Sequence, residues 1–216
     1  MDPATGITAL LEVMDRLRSP GGCPWDAEQT HASLARYLLE ETYEVLEALD
    51  TGDRTLLREE LGDLLLQVVF HARIAAEDEQ LPFGFDEVAT DVADKLVRRH
   101  PHVFAGQQVS DDGLHAAWEQ RKRVEKQRRG VLEGIPGAIP ALLLATKVQD
   151  RLAAAGRAAP EPATSGNEPA AADRAAVGAQ LFAAVAAARS LGVDPEQALR
   201  DHVRAVTEAV ALAESG

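Results

Sequence analysis

Aromatic residues are scarce in this chain of 216 residues, at 4% of the total, and cysteine occurs once, as Cys23. A single cysteine excludes an internal disulfide and any cysteine-only metal site within one chain, and it suits a reducing compartment. Long apolar runs are also missing. The longest, Leu64 to Phe70, is interrupted by Gln67 and is far too short to span a bilayer, while residues 1–20 are charged and periodic rather than leader-like. The expectation is a soluble, cytoplasmic protein with no membrane partner. Alternating runs of β-branched residues are absent as well, which argues against a parallel sheet. Positive charge is in deficit, with a formal net charge of −13, so sequence-independent binding to a nucleic acid polymer is not expected.

What the chain has in quantity is alanine and leucine, within a hydrophobic content of 46% that suffices for a packed core. These are good helix formers, and the pattern predicts an all-α protein. Helices are expected over residues 7–18, from a cap at Thr30 or Ser33 to about Asp50, and from Asp53 or Thr55 to about Glu79. A further helix is expected to be capped by Asp86, with Val88, Val92, Leu96 and Val97 inward. Between the first two helices, Gly22-Cys23-Pro24-Trp25-Asp26 reads as a turn-rich loop in which Trp25 anchors on the core.

Two of these helices carry carboxylates at helical spacing. Glu41 and Glu44 share one face of the first, and Glu60 and Asp63 repeat the interval on the next, with Thr51, Gly52 and Asp53 as the turn between them. Acidic pairs are common on solvated helix faces. Here, however, Tyr37, Glu41, Glu44 and Ala48 lie directly beside an apolar stripe of Leu34, Leu38, Val45 and Leu49. Glu60, Asp63 and Gln67 lie beside Leu57, Leu61, Leu64 and Val68 in the same way. Four acids converging at a seam repel one another unless a cation sits among them, and hard oxygen donors suit magnesium or manganese better than zinc. His71, one turn beyond Gln67, reads as a packed or capping side chain rather than a ligand.

Charge is divided along the chain. Glu40 to Asp63 holds nine acidic residues against two basic, whereas Lys95 to Arg129 holds nine basic against four acidic. An acidic metal-binding region beside a basic one fits a metal-bound polyphosphate. A basic helix from about Leu114 carries Trp118, Arg121, Lys122 and Lys126. It is either a solvated face or one on which Trp118 stacks with a base while the cations meet phosphate.

Beyond Gly130 the chain turns alanine-rich. LGDLLLQVVFHAR at Leu61–Arg73 is echoed by VGAQLFAAVAAAR at Val177–Arg189, and Asp15-Arg16-Leu17 by Asp150-Arg151-Leu152. Ala176 and Ala179 stand where Glu60 and Asp63 would be. The low-complexity stretch 156–173, expected to be mobile, replaces the helix of Glu41 and Glu44. Residues 130–216 therefore read as a worn, metal-free copy of residues 1–129, unless the match is a coincidence between alanine-rich helices.

GCPWDAEQTH, YLLEETYEVLEAL, LREELGDLLLQVVFHAR, KLVRRHPHVF and WEQRKRVEK together resemble the MazG family of nucleoside triphosphate pyrophosphohydrolases, over about residues 7–129. The family's E-E-x-x-E and E-x-x-D motifs correspond to Glu40-Glu41-Thr42-Tyr43-Glu44 and Glu60-Leu61-Gly62-Asp63. The resemblance implies an antiparallel helical bundle completed by homodimerisation or a higher homo-oligomer. It also implies magnesium-dependent cleavage, with manganese as a substitute, of a nucleoside triphosphate to the monophosphate and pyrophosphate. In that case Glu41, Glu44, Glu60 and Asp63 hold the metal and Glu40 is a further ligand or orients water. Lys95, Arg99, Trp118 and Lys122 lie near the nucleotide. The second half departs from the tandem-motif pattern, which leaves the first half as the candidate active centre. A phosphoribosyl-ATP, dUTP or dCTP pyrophosphohydrolase, or a helical partner protein without activity, are the alternatives.

Overall fold

Gly52 and Asp53 set the geometry on which the rest depends. Gly52 takes the left-handed conformation at φ 70° and ends one long helix, which a side chain at that position would resist. The carboxylate of Asp53 then accepts from the backbone N–H groups of Thr55 and Leu56 and starts the next. So short a connection folds the two helices back against each other.

The computed structural model describes residues 6–106, 121, 125, 130–159 and 169–214, and no strand occurs among them. The chain divides into two compact units, Met1–Leu114 and His115–Gly216. The first contains α1 (Ile7–Arg18), α2 (Pro24–Glu28), α3 (His31–Thr51), α4 (Arg54–Ala75), α5 (Phe85–Arg99) and α6 (Pro101–Phe104). In it α3 and α4 form the central antiparallel pair, with α1 and α5 both packed on α4. Met14, Leu34, Val69 and Phe70 make the core, closed by Leu10, Leu11, Tyr37, Leu66, Ile74 and Phe85.

Several expected boundaries shift. Thr30 caps α3 as anticipated, accepting from the N–H of Ser33. The GCPWD segment is less a loop than expected, since Pro24 opens the short α2, and Trp25 is 50% exposed with its edge toward Tyr37 rather than packed in the core. Gly22 is required here because an added Cβ would lie 2.3 Å from the carbonyl oxygens of Arg16 and Leu17. Helix α4 ends at Ala75, not near Glu79. Asp78 captures the N–H groups of Gln80 and Leu81, offering the backbone an alternative to continuing the helix. Helix α5 is capped at Gly84, whose N–H donates to Glu87, so Asp86 lies inside the first turn rather than at the cap.

The apolar stripes also differ from expectation. On α4 the buried residues are Gln67, Val69, Phe70, Ala72 and Ala75, while Leu61 and Val68 are 49% and 38% exposed. On α3, Leu38 and Leu49 face solvent, and on α5 so do Val92, Leu96 and Val97.

The second unit contains α7 (Ala141–Ala154), α8 (Pro169–Ser190) and α9 (Pro195–Glu214). Residues 169–173, expected in a mobile loop, belong to α8. Among the described residues Gln149, Leu152 and Val185 are buried, and the amide of Gln149 donates to the Phe182 carbonyl at 2.8 Å.

Candidate metal centre at the α3–α4 seam

The antiparallel hairpin brings the two acidic motifs together. One carboxylate oxygen each from Glu41 on α3 and from Glu60 and Asp63 on α4 lie within 4.8 Å of one another. Glu44, one turn after Glu41, joins them: its side chain is hydrogen-bonded to Glu41 and its charge is felt at Glu60. Glu41, Glu60 and Asp63 are half-buried along the seam. Glu40, on the exposed side of α3, stands outside the group.

The electrostatics follow from this crowding. Burial first, then the hydrogen bond to Glu44 and the charges of Asp63, Glu44 and Glu60, push the Glu41 carboxyl up to about 7. Desolvation, with the charges of Glu44 and Asp63, also raises Glu60. A cluster that resists ionisation in this way is relieved by a cation. Around magnesium, opposite oxygen ligands stand about 4 Å apart. Three oxygens within 4.8 Å of one another are on the scale of ligands to one such ion. The donor set is all oxygen, as hard divalent cations prefer.

The seam continues past the acids. Gln67, four residues beyond Asp63 on the same face, is buried at 5% exposure, and its Oε1 accepts no hydrogen bond from the described residues. One turn further, His71 stacks on His31 with ring centroids 5.0 Å apart and the two Nδ1 atoms 2.7 Å apart. Burial, then the neighbouring His31, holds His71 below the usual histidine range. Its Nε2 is buried and unpartnered among the described residues. His71 is thus the partner of His31 rather than a capping group. Sequence placed Gln67 on the border stripe, yet a glutamine beside acids carries no signal of burial, and nothing in the chain order pairs His31 with His71.

Of the basic candidates, Lys95 is half-buried on α5 and Arg99, one turn later, is buried at 7% exposure. Trp118 and Lys122 lie outside the described residues.

An all-helical seam thus gathers Glu41, Glu60 and Asp63 from two short acidic motifs, in a group that could hold a metal ion. Comparison with known proteins identifies the family. The family model of the MazG nucleotide pyrophosphohydrolase domain matches residues 29–104, which include both motifs. Over 221 residues the chain is 38% identical to the nucleoside triphosphate pyrophosphohydrolase/pyrophosphatase MazG of Thermotoga maritima, covering 92% of this chain and 82% of that one. It is 49% identical over 155 residues to the nucleoside triphosphate pyrophosphohydrolase of Escherichia coli, covering 69% of this chain and 58% of that one. An uncharacterised 26.1 kDa protein from the blaB 3′ region of Streptomyces cacaoi is 45% identical over 98% of this chain and 84% of its own length. The chain thus spans little more than half the length of the E. coli relative and most of the other two. It belongs to the MazG family of nucleotide pyrophosphohydrolases, and so to the hydrolases. No single helix among the described residues is long and apolar enough to cross a membrane.

Proposed function

We propose that the α3–α4 seam hydrolyses nucleoside triphosphates to the monophosphate and pyrophosphate in a magnesium-dependent reaction, with manganese as a substitute, in the cytoplasm. The observation that carries this is the convergence of Glu41, Glu60 and Asp63 oxygens within 4.8 Å across two helices. Glu41, Glu44, Glu60 and Asp63 hold the cation. When bound there, magnesium polarises phosphoryl oxygen and lowers the pKa of water.

The chain's own groups do the rest. The acids repel a bare polyphosphate and would engage it only through the cation they hold, set so that water adds to the α-phosphorus as the bond to the β-phosphate breaks and pyrophosphate leaves. Glu40, outside the cluster, is assigned to orienting that water. Lys95 and Arg99 balance the charge that grows on pyrophosphate, while Trp118 stacks on the base and Lys122 meets phosphate. The expected test outcome is release of pyrophosphate and monophosphate with magnesium, lost to background in Glu41→Gln or Asp63→Asn and reduced but retained in Glu40→Gln. Release of orthophosphate instead, or activity indifferent to the first two substitutions, would overturn the mechanism.

The working form is proposed to be a homodimer. Leu61, Leu65 and Val68 make an exposed apolar stripe on α4, and Val92 and Leu96 another on α5, which a second copy of this helical pair would cover.

Residues 130–216 are proposed to be a degenerate repeat without a metal site. Supporting this, Arg73 on α4 bonds Asp15 on α1 at 2.9 Å, and Arg189 on α8 bonds Asp150 on α7 at 2.9 Å, at the positions aligned from sequence. Val69 and Val185, also aligned, are each 1% exposed.

A further inference from the structure

Gln67 is the most deeply buried polar side chain along the seam that bears the acids, and its Oε1 is buried with no hydrogen-bond partner among the described residues. A carbonyl withdrawn from water with no donor costs stability that an apolar side chain of similar volume, such as methionine, would not. The nearby groups do not relieve it. None of the neighbouring carboxyl groups donates to it among the described residues. The Tyr37 hydroxyl accepts from Arg36 and makes no hydrogen bond to Gln67 among the described residues. One turn on, the His71 Nε2 is itself buried and unpartnered among the described residues.

The two unused atoms are complementary in kind. A single proton can occupy the short Nδ1–Nδ1 contact between His31 and His71. When His31 supplies it, neutral His71 carries its own proton on Nε2 and becomes a donor. An acceptor at Gln67 and a donor at His71, a turn apart on one helix face, match a group that both gives and receives a hydrogen bond. That describes a hydroxyl. Four residues of α4 advance about 6 Å along the axis from Asp63. A nucleotide whose phosphates are held at the acids has its sugar hydroxyls as the next polar groups along the molecule, a short chain of atoms from the α-phosphorus.

We infer that Gln67 is a specificity-determining residue whose amide oxygen accepts a hydrogen bond from a sugar hydroxyl of the bound nucleotide, with His71 Nε2 on the far side of the same hydroxyl. This rests on the proposed placement of the triphosphate at the acidic seam. It makes the enzyme a reader of the sugar as well as of the phosphates.

The test is calorimetric binding, with magnesium, of the non-hydrolysable α,β-methylene analogues of one nucleoside triphosphate in its ribo, deoxy and dideoxy forms. Wild-type protein is expected to bind the dideoxy form about tenfold more weakly than the ribo form, the size of one lost hydrogen bond in a buried site. The deoxy form tells which hydroxyl is read. In Gln67→Met the ribo form should weaken until the ratio approaches one. Equal binding of ribo and dideoxy forms by the wild type overturns the assignment, and this arm needs no variant to fold. So does an unchanged ratio in a folded Gln67→Met, which would leave the amide a partner of trapped water only. Because the readout is binding, absence of pyrophosphate release would defeat the hydrolytic mechanism while the ratio still decides the role of Gln67.

Discussion

Glu41 holds its proton to about pH 7 in the folded chain, against 4.5 for an ordinary glutamate, because burial and three neighbouring acids oppose its charge. Between those values the unfolded chain binds fewer protons than the folded one. Stability of the magnesium-free protein therefore falls as pH rises through that window and levels off above it. Magnesium reverses the penalty by binding the ionised cluster, and it competes with the proton at the lower end. Thermal unfolding followed from about pH 5 to about pH 8 should show a declining midpoint without magnesium and a larger magnesium-induced rise at the alkaline end. A flat profile, or a rise of equal size at both ends, would mean that Glu41 is not part of a cation site. The acids themselves were legible in the sequence because their three-residue spacing fixes a shared helix face whatever the fold. Gln67 was not, since its burial arises from tertiary packing that helical spacing alone does not reveal.

At the scale of elements, the end of α1 is tied to the end of α4 by Arg18. Its side chain is 4% exposed, reaches Glu77 at 2.7 Å and donates to the carbonyls of Asp26 and Gln29. Arg73 completes the clasp by bonding both Glu77 and Asp15. One guanidinium thus fixes α2 and the start of α3, and with them the angle at which the acid-bearing helix leaves the core. The hydrogen bond from Arg18, followed by the charges of Arg18 and Arg73, holds Glu77 below the usual glutamate range. Arg18→Ala should cost about 2–4 kcal/mol, measured by denaturant unfolding, because it strands the two carbonyls and leaves Glu77 with Arg73 as its remaining cation. Arg18→Lys should lie between, as an ammonium cannot span the same fork. A loss below about 0.5 kcal/mol would make the clasp a surface ion pair and no more. Helices α1 and α3 were predicted closely from periodicity and from the Thr30 cap. The end of α4 was not, because side-chain capture of backbone by Asp78 leaves the helical pattern of the sequence intact.

For the molecule as a whole, the question is what covers the apolar faces that its own helices leave open. Amphipathic spacing in α4 shows that Leu61 and Val68 want an apolar neighbour, but it cannot distinguish a helix of the same chain from one of a second copy. In the first unit the interior side of α4 is taken by Val69 and Phe70, so Leu61, Leu65 and Val68 remain 49%, 38% and 38% exposed. Covering a large aliphatic side chain is worth about 1.5–3 kcal/mol when complete, and proportionately less for these half-covered ones. Two-fold symmetry would repeat that gain on both copies, where it is set against the cost of association. Light scattering should accordingly give twice the chain mass, with an unfolding midpoint that rises with protein concentration. Leu65→Glu combined with Val68→Glu places two charges in that contact. The expected result is a monomer mass, a lower midpoint and loss of pyrophosphate release, although neither residue is one of the four acids. If the wild type is a monomer at working concentration, or if the double variant stays paired, the stripe is not the contact between copies. If instead the variant separates and keeps full activity, then the site at the α3–α4 seam is complete within one chain, and the role of the pair is stability alone.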